Sequence, residues 1–203
     1  MNKLNWMIAL ATLFPLVVFA INEADVPIKR HTPFGLYLTS EEAYELKKNA
    51  ADEVLFIDTR TRPEVKYIGM AKLVDAHIPS QFINTDFSWS DKANTYRTTR
   101  NKHFISDVNK LLSAKGKDKN TPILVMCQSG SRSTPAVKLM HTAGFSRVYN
   151  VYQGFEGSKV KEGPNKGKRT LDGWKNAGMP WSYKLDKKAM YFNFDSTSIS
   201  DVD

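Results

Sequence analysis

Ile123-Leu124-Val125-Met126-Cys127-Gln128-Ser129-Gly130-Ser131-Arg132-Ser133 runs from four consecutive apolar residues through a tight polar loop into the helix-like stretch Ser133–Thr142. An unbroken apolar strand is apolar on both faces, as in a parallel sheet covered by helices on each side. Cys127, the single cysteine of the 203-residue chain, stands at the end of that strand. Backbone N–H groups converge at such a strand-to-helix turn, and the positive end of the helix dipole is felt there. Arg132 adds a permanent cation. All three effects favour a thiolate, which is the nucleophilic form of cysteine.

The surrounding sequence repeats the strand-then-helix pattern. Leu36-Tyr37-Leu38 is a short strand, followed by Thr39-Ser40-Glu41-Glu42, a capping-box sequence that opens a helix to about Asn49 with Leu46 facing inward. Val54-Leu55-Phe56-Ile57 is a second continuous apolar strand, ending in Asp58-Thr59-Arg60. Pro63 starts a short helix to Ile68, which Gly69 stops, and Lys72–Ile78 reads as a strand closed by Pro79. Phe104, Val108, Leu111 and Leu112 mark an amphipathic helix from about Lys102 to Ala114. Gly144 caps the helix after the cysteine loop, and Val148-Tyr149-Asn150-Val151 is the next strand. Thr170–Ala177 reads as a last short helix, ended by Gly178 and Pro180. The alternation predicts a three-layer α/β domain with a mainly parallel central sheet and helices on both faces. Ligands of such sheets bind beyond the carboxyl ends of the strands, where Cys127, Asp58 and Arg60 all fall.

Two stretches interrupt the pattern. Residues 80–100 hold Phe82, Phe87, Trp89 and Tyr96 and read as a lid or, in the favoured reading, a loop anchored by its aromatics on the domain surface. Residues 158–169 form a basic Gly/Pro insertion, a solvated loop or a cationic rim that attracts anions. Within it, Gly163-Pro164-Asn165-Lys166-Gly167-Lys168 is one residue short of a P-loop and lacks the following Ser/Thr. The tail is aromatic to about Phe194 (Trp181, Tyr183, Tyr191, Phe192) and reads as a strap packed on the domain with a frayed end.

Residues 1–20 have the look of an address: Lys3, then the almost wholly apolar Leu4–Phe19, then a small-residue end at Ala20. The apolar run of roughly 16 residues is at or below the length that spans a bilayer, which favours a cleaved secretory signal over an anchor. The expectation is an exported, periplasmic protein with no stable membrane association once the signal is removed. The 183 residues from Ile21 onward carry a formal charge of +7, against +8 for the whole chain, because only Lys3 is charged in the leader. The lysines are scattered among acids rather than interleaved with aromatics on one face, so nucleic acid is not an expected partner. With one cysteine no intrachain disulfide is possible, and a free thiol in an oxidising compartment is a liability unless it is used. The plain alternative is a buried, inert core cysteine; the polar Gln-Ser-Gly-Ser-Arg flank argues against it. The four histidines show no ligand spacing with Cys127, so neither a metal site nor another cofactor is expected.

Three stretches together resemble the rhodanese family of sulfurtransferases across about residues 35–183: Phe56-Ile57-Asp58-Thr59-Arg60 with Glu64, the loop Cys127–Ser133, and Val148–Gly157 with Gly173-Trp174 and Ala177-Gly178-Met179-Pro180. The implied organisation is a leader (1–20), an irregular lead-in (21–34), a rhodanese-like domain (35–183) with insertions at about 80–100 and 158–169, and a C-terminal tail (184–203). The sequence departs from the family at Gly69-Met70, where many members have Gly-His-Ile, and in its longer insertions. The resemblance implies transfer of sulfane sulfur from a small anionic donor such as thiosulfate, through a Cys127 persulfide, to an external thiol or acceptor protein.

Such chemistry brings an anion to an anion, so the pocket must hold negative charge. The N–H groups of residues 128–133 can form an anion nest, Gly130 lets the loop curl, and Arg132 can pair with the anionic group. Cys127 and Arg132 are therefore the expected catalytic residues. Gln128, Ser129, Gly130, Ser131, Ser133 and Arg60 are expected to bind substrate, with Ser133 alternatively a helix cap. Asp58 is expected to be structural, in an ion pair with Arg60; the same pair is the alternative reading of Arg60. Two rival functions remain: a non-catalytic binding or redox-sensing module, and a cysteine-dependent phosphatase or arsenate reductase. The second is disfavoured by the spacing Cys127-x4-Arg132, one residue shorter than the Cys-x5-Arg loop that wraps a phosphate, and by the lack of an acid in the loop.

Overall fold

The computed structural model describes residues 21–192; the expected leader and the tail beyond Phe192, Phe194 included, lie outside them. In chain order the elements are β1 (Tyr37–Leu38), α1 (Ser40–Asn49), β2 (Leu55–Asp58), α2 (Arg62–Ile68), β3 (Met70–Ala71), β4 (Ala76–His77), β5 (Gln81–Ile83), β6 (Trp89–Ser90), β7 (Thr95–Tyr96), β8 (Thr98–Arg100), α3 (Phe104–Ala114), β9 (Ile123–Met126), α4 (Ser133–Thr142), β10 (Val148–Val151) and β11 (Trp181–Ser182).

Strands β1, β10, β9, β2 and β4 form one sheet in that order, with every neighbouring pair parallel. The central strand β9 is the apolar run Ile123–Met126, flanked in register by Leu55–Asp58 and Val148–Val151. The two-residue period of a strand sends its side chains into two separate cores. Leu124, Met126, Phe56, Tyr149 and Val151 pack with α1, α2 and Trp174 on one face. Ile123, Val125, Leu55, Ile57 and Val148 pack with α3 and α4 on the other. This is the three-layer arrangement that the unbroken apolar strands predict. Thr39 and Glu42 make the expected capping box at the start of α1, and Gly69 stands at the C-cap of α2.

The structure departs from sequence expectation in four places. Lys72–Ile78 is not one strand. Asp75 turns inward, accepts the Phe56 backbone N–H at 2.8 Å and pairs with the buried Lys47 Nζ at 2.8 Å. Of this stretch only Ala76–His77 is strand, as β4, which edges the main sheet; β3 precedes it and joins β11 antiparallel in a separate small sheet. Residues 80–100 are not a loop packed by its aromatics but an antiparallel hairpin, β5 with β8 and β6 with β7. Its ladder satisfies its own backbone, so the aromatics stack mainly on one another: Trp89 and Phe87 meet Tyr96 edge-on at 5.4 and 6.3 Å, and Phe87 stays 74 % exposed. Only Phe82 reaches the body of the domain, against Tyr191.

Thr170–Ala177 is a turn rather than a helix. Gly173, at φ +97°, leaves the helical region, and Asn176 Nδ2 takes the Asp172 carbonyl, which competes with a helical ladder; Trp174 beside them is fully buried. The tail straps the domain only in part: Trp181 and Tyr191 pack against it, while Tyr183 and Phe192 stay exposed. The lead-in is ordered into two 3-10 turns, Glu23–Asp25 and Ile28–Arg30, and buries Val26 and Arg30. Among the described residues no helix is long and apolar enough to cross a membrane.

Candidate active site

Strand β9 hands the chain directly to Cys127, and the backbone around it is held by the segment after β10. The carbonyl of Cys127 accepts the Phe155 N–H at 2.8 Å, and that of Gln128 accepts those of Glu156 and Gly157. Gly154 lies against this backbone so closely that a Cβ there would overlap Ser129 N and the Cys127 carbonyl. Gly130, at φ +79°, is in the left-handed region, and a Cβ on it would overlap Arg30 Nη1 and the Tyr152 carbonyl. These two glycines allow three backbones to meet at one point.

Cys127 itself has no exposed surface. Its sulfur is not sunk in hydrocarbon, however, because the Arg132 backbone N–H donates to Sγ at 3.3 Å. Among the described residues the amides of Gln128, Ser129, Gly130 and Ser131 donate to no protein acceptor. The hydroxyls of Ser129 and Ser131 likewise have no protein partner. Four consecutive unpaired amides beside a sulfur make a concave donor surface suited to negative charge.

The structure places Arg132 differently from the sequence reading. Its guanidinium is not free to meet an anion: both terminal nitrogens bond Glu64, one of them at 2.6 Å to Oε2. Glu64 is held in turn by Thr61, whose N–H and hydroxyl it accepts at 2.9 and 2.7 Å in the capping box of α2. Burial works most strongly against the Glu64 charge, but the bonds and charge of Arg132, with those of Thr61, outweigh it and lower its pKa to about 2. Arg132 is partly buried, which works most strongly against its charge, but its pairing with Glu64, helped by Cys127 and Asp58, raises its pKa above the ordinary value. Of this residue only the backbone N–H contacts the sulfur. Its side chain bolts the end of the loop to α2.

Ser133 is neither a cap nor exposed to substrate. Arg132 occupies the N-cap position of α4, and the fully buried Ser133 hydroxyl donates to Asn150 Oδ1 at 2.7 Å. Asp58 and Arg60 form a buried ion pair through Nε and Nη2 at 3.0 and 2.7 Å. Arg60 also bonds the Gly69 carbonyl and lies 3.9 Å over the Phe155 ring. With no exposed surface, Arg60 does not face a substrate; it fastens the end of β2 to α2 and to Phe155. His77 donates from Nε2 to the Arg60 carbonyl at 2.7 Å, and burial lowers its pKa below the ordinary value.

Sequence reasoning missed three contributors. Glu64 carries the one legible signal, the Thr61-x-x-Glu64 capping pattern, but its grip on Arg132 spans 68 residues. Arg30, from the lead-in, reaches the underside of the loop and bonds the Tyr152 carbonyl at 2.5 Å. Arg169, from the 158–169 insertion, bonds Gln128 Oε1 at 3.4 Å. Gln128 also donates to Glu156 at 2.7 Å, which fixes the loop's outer edge. Among the described residues no group of His, Cys, Asp or Glu is placed to hold a metal.

A parallel α/β sheet with a cysteine loop between its central strand and a helix defines a class of cysteine-loop α/β domains. Comparison with known proteins narrows the class. Residues 41–161 match the rhodanese-like domain family. An uncharacterized protein of Rickettsia conorii, RC0915, is 28 % identical over 149 residues, 72 % of this chain and 96 % of the relative; an uncharacterized Rickettsia prowazekii protein, RP600, matches to the same extent. Among solved structures, Rv0390 from M. tuberculosis has the same fold with a TM-score of 0.55 at 24 % identity, over 73 % of this chain and 97 % of that one. The chain belongs to the rhodanese-like domain family.

Proposed function

We propose that this protein is a sulfurtransferase that carries sulfur on Cys127. The observation that supports it most is the contact of the Arg132 N–H with Sγ at 3.3 Å beside four amides without protein acceptors. A thiolate there attacks the outer, sulfane sulfur of a donor such as thiosulfate. The sulfur–sulfur bond of the donor breaks, sulfite leaves with the electron pair, and Cys127 holds a persulfide whose terminal sulfur carries the negative charge. The loop amides are placed to bind that charge. A second nucleophile then attacks the terminal sulfur, and the Cys127 thiolate is the leaving group. Within the chain there is no second cysteine to take the sulfur, so the acceptor is an external thiol, an acceptor protein or, in vitro, cyanide. The short Cys127-x4-Arg132 loop suits one added sulfur atom better than a tetrahedral phosphate. Export to the periplasm, with the first twenty residues removed, is part of the same proposal.

Mass spectrometry of the intact protein tests it. Incubation with thiosulfate is expected to add about 32 Da, one sulfur atom on the reactive thiolate. Cyanide is expected to remove the adduct, and Cys127→Ser is expected never to gain it. Wild-type protein that acquires no sulfur from thiosulfate, polysulfide or an organic persulfide would refute the assignment.

A further inference from the structure

The charges around Cys127 do not cancel. Arg132 is matched by Glu64 and Arg60 by Asp58, although the charge of Cys127 also acts on Arg132. Among the described residues two nearby cations lack an acid partner: Arg169, part-buried at the loop's outer edge, and Arg30, the buried one. It is 8 % exposed, and among the described residues it makes no ion pair. Its side chain donates one hydrogen bond, to the Tyr152 carbonyl, and its buried Nε has no partner. It lies in the space that a side chain at residue 130 would fill, directly under the loop. Its own backbone is fixed there, because the Arg30 carbonyl accepts Asn150 Nδ2 at 3.2 Å and the Thr134 hydroxyl at 3.5 Å. A buried cation without a counter-ion is costly, so a site that retains one is built for an anion that arrives.

We propose that Arg30 is the counter-charge for the anionic sulfur on Cys127, in both the thiolate and the persulfide state. This rests on the reading that Cys127 carries the sulfur, and it adds Arg30, which has no acid partner, to Arg132, which feels the Cys127 charge from within its pair with Glu64. Burial lowers the pKa of Arg30 below the ordinary arginine value, and the charge of Cys127 is the largest influence in the opposite direction; Asp172 attracts Arg30 as well, while Arg169 opposes it. Neither Asp172 nor Glu23, the acid of the lead-in that bonds Tyr37, comes within ion-pair distance of Arg30. Arg30 precedes residue 41, so the charge comes from outside the segment that matches the family. It acts through the field at Sγ rather than by touching the reacting bond, and is a positioning residue in that sense.

The test is the rate of Cys127 alkylation by iodoacetamide as a function of pH, followed by mass spectrometry, with circular dichroism to confirm folding. Arg30→Gln, which can still bond the Tyr152 carbonyl, is expected to slow alkylation at pH 7 roughly tenfold and to move the profile to higher pH. Arg30→Lys, which keeps the charge, is expected to stay within about threefold of wild type. Arg30→Met is read in the same way if Arg30→Gln does not fold. A folded Arg30→Gln with the wild-type profile would overturn the proposal, even if thiosulfate still loads sulfur on the protein. A shifted profile in a protein that takes no sulfur would leave the counter-charge standing and remove the sulfurtransferase.

Discussion

Glu64 shows how a single residue can be read twice. In sequence it is the third member of a capping box, a local device at the start of α2. In the structure the same carboxylate also grips Arg132, so the helix cap and the cysteine loop share one anion. A carboxyl lowered from its ordinary value to about 2 stabilises the folded protein when ionised. The unfolded chain takes up its proton near the ordinary carboxyl pKa of 4.5, so the contribution is complete above that pH and is lost as pH falls toward 2. Its upper size is about 3 kcal/mol. Glu64→Gln is therefore expected to lower stability by about 2–3 kcal/mol at pH 7. It should also flatten the acid limb between pH 4.5 and 2 relative to wild type. Urea unfolding of both proteins across that range would decide the matter; parallel acid limbs would mean that the pair contributes nothing.

At the scale of elements, legibility followed the range of the bonds that make each one. Strands β2 and β9 were readable from their apolar runs, because a strand buried on both faces has few alternatives, and β10 from Val148, Tyr149 and Val151 around the single polar Asn150. Helix α1 was readable from its capping box, and α3 from Phe104, Val108 and Leu112, which do face the core. The cysteine loop was readable for the same reason: its signal is local. The hairpin between β5 and β8 was not. Gln81 pairs with Arg100 and Trp89 with Tyr96, and its aromatics resemble core residues although they are mostly exposed. Thr170–Ala177 failed because Gly173, at φ +97°, turns the backbone out of the helical region in the middle of the segment. Arg30 failed because its partner Tyr152 lies 122 residues away. The hairpin's exposure has a dynamic consequence. With few apolar contacts holding it to the domain, Trp89–Tyr96 should open independently of the sheet. Amide hydrogen exchange is expected to be at least about a hundredfold faster there than in Ile123–Met126 (about 3 kcal/mol less opening free energy); equal protection would show the hairpin to be an integral part of the folded unit.

For the whole molecule, the working domain extends beyond the stretch that resembles its relatives. Residues 41–161 hold four of the five strands of the main sheet and the loop, yet the loop is closed from beneath by Arg30 and from its edge by Arg169. The lead-in is bound by more than that one side chain. Val26 is buried at 2 % exposure, Tyr37 shares its hydroxyl with Glu23 and with the Thr32 backbone, and the Arg30 carbonyl satisfies Asn150, which in turn holds Ser133 at the start of α4. A chain beginning at Gly35 keeps every residue of the family match and loses all of these contacts. Burial of Val26 accounts for about 1.5–3 kcal/mol. Truncation leaves the Tyr37 hydroxyl without its Glu23 and Thr32 partners, at about 1–3 kcal/mol, and takes one of the two acceptors of Asn150 Nδ2, which keeps Thr134. The truncated protein is expected to melt at a lower temperature than the chain beginning at Ile21 and to react more slowly with iodoacetamide at temperatures where both are folded. Scanning calorimetry and the alkylation rate, measured on the two chains side by side, separate the effects: a lower Tm with unchanged reactivity would make the lead-in a brace alone, and an unchanged Tm would show that the sheet and loop stand without it.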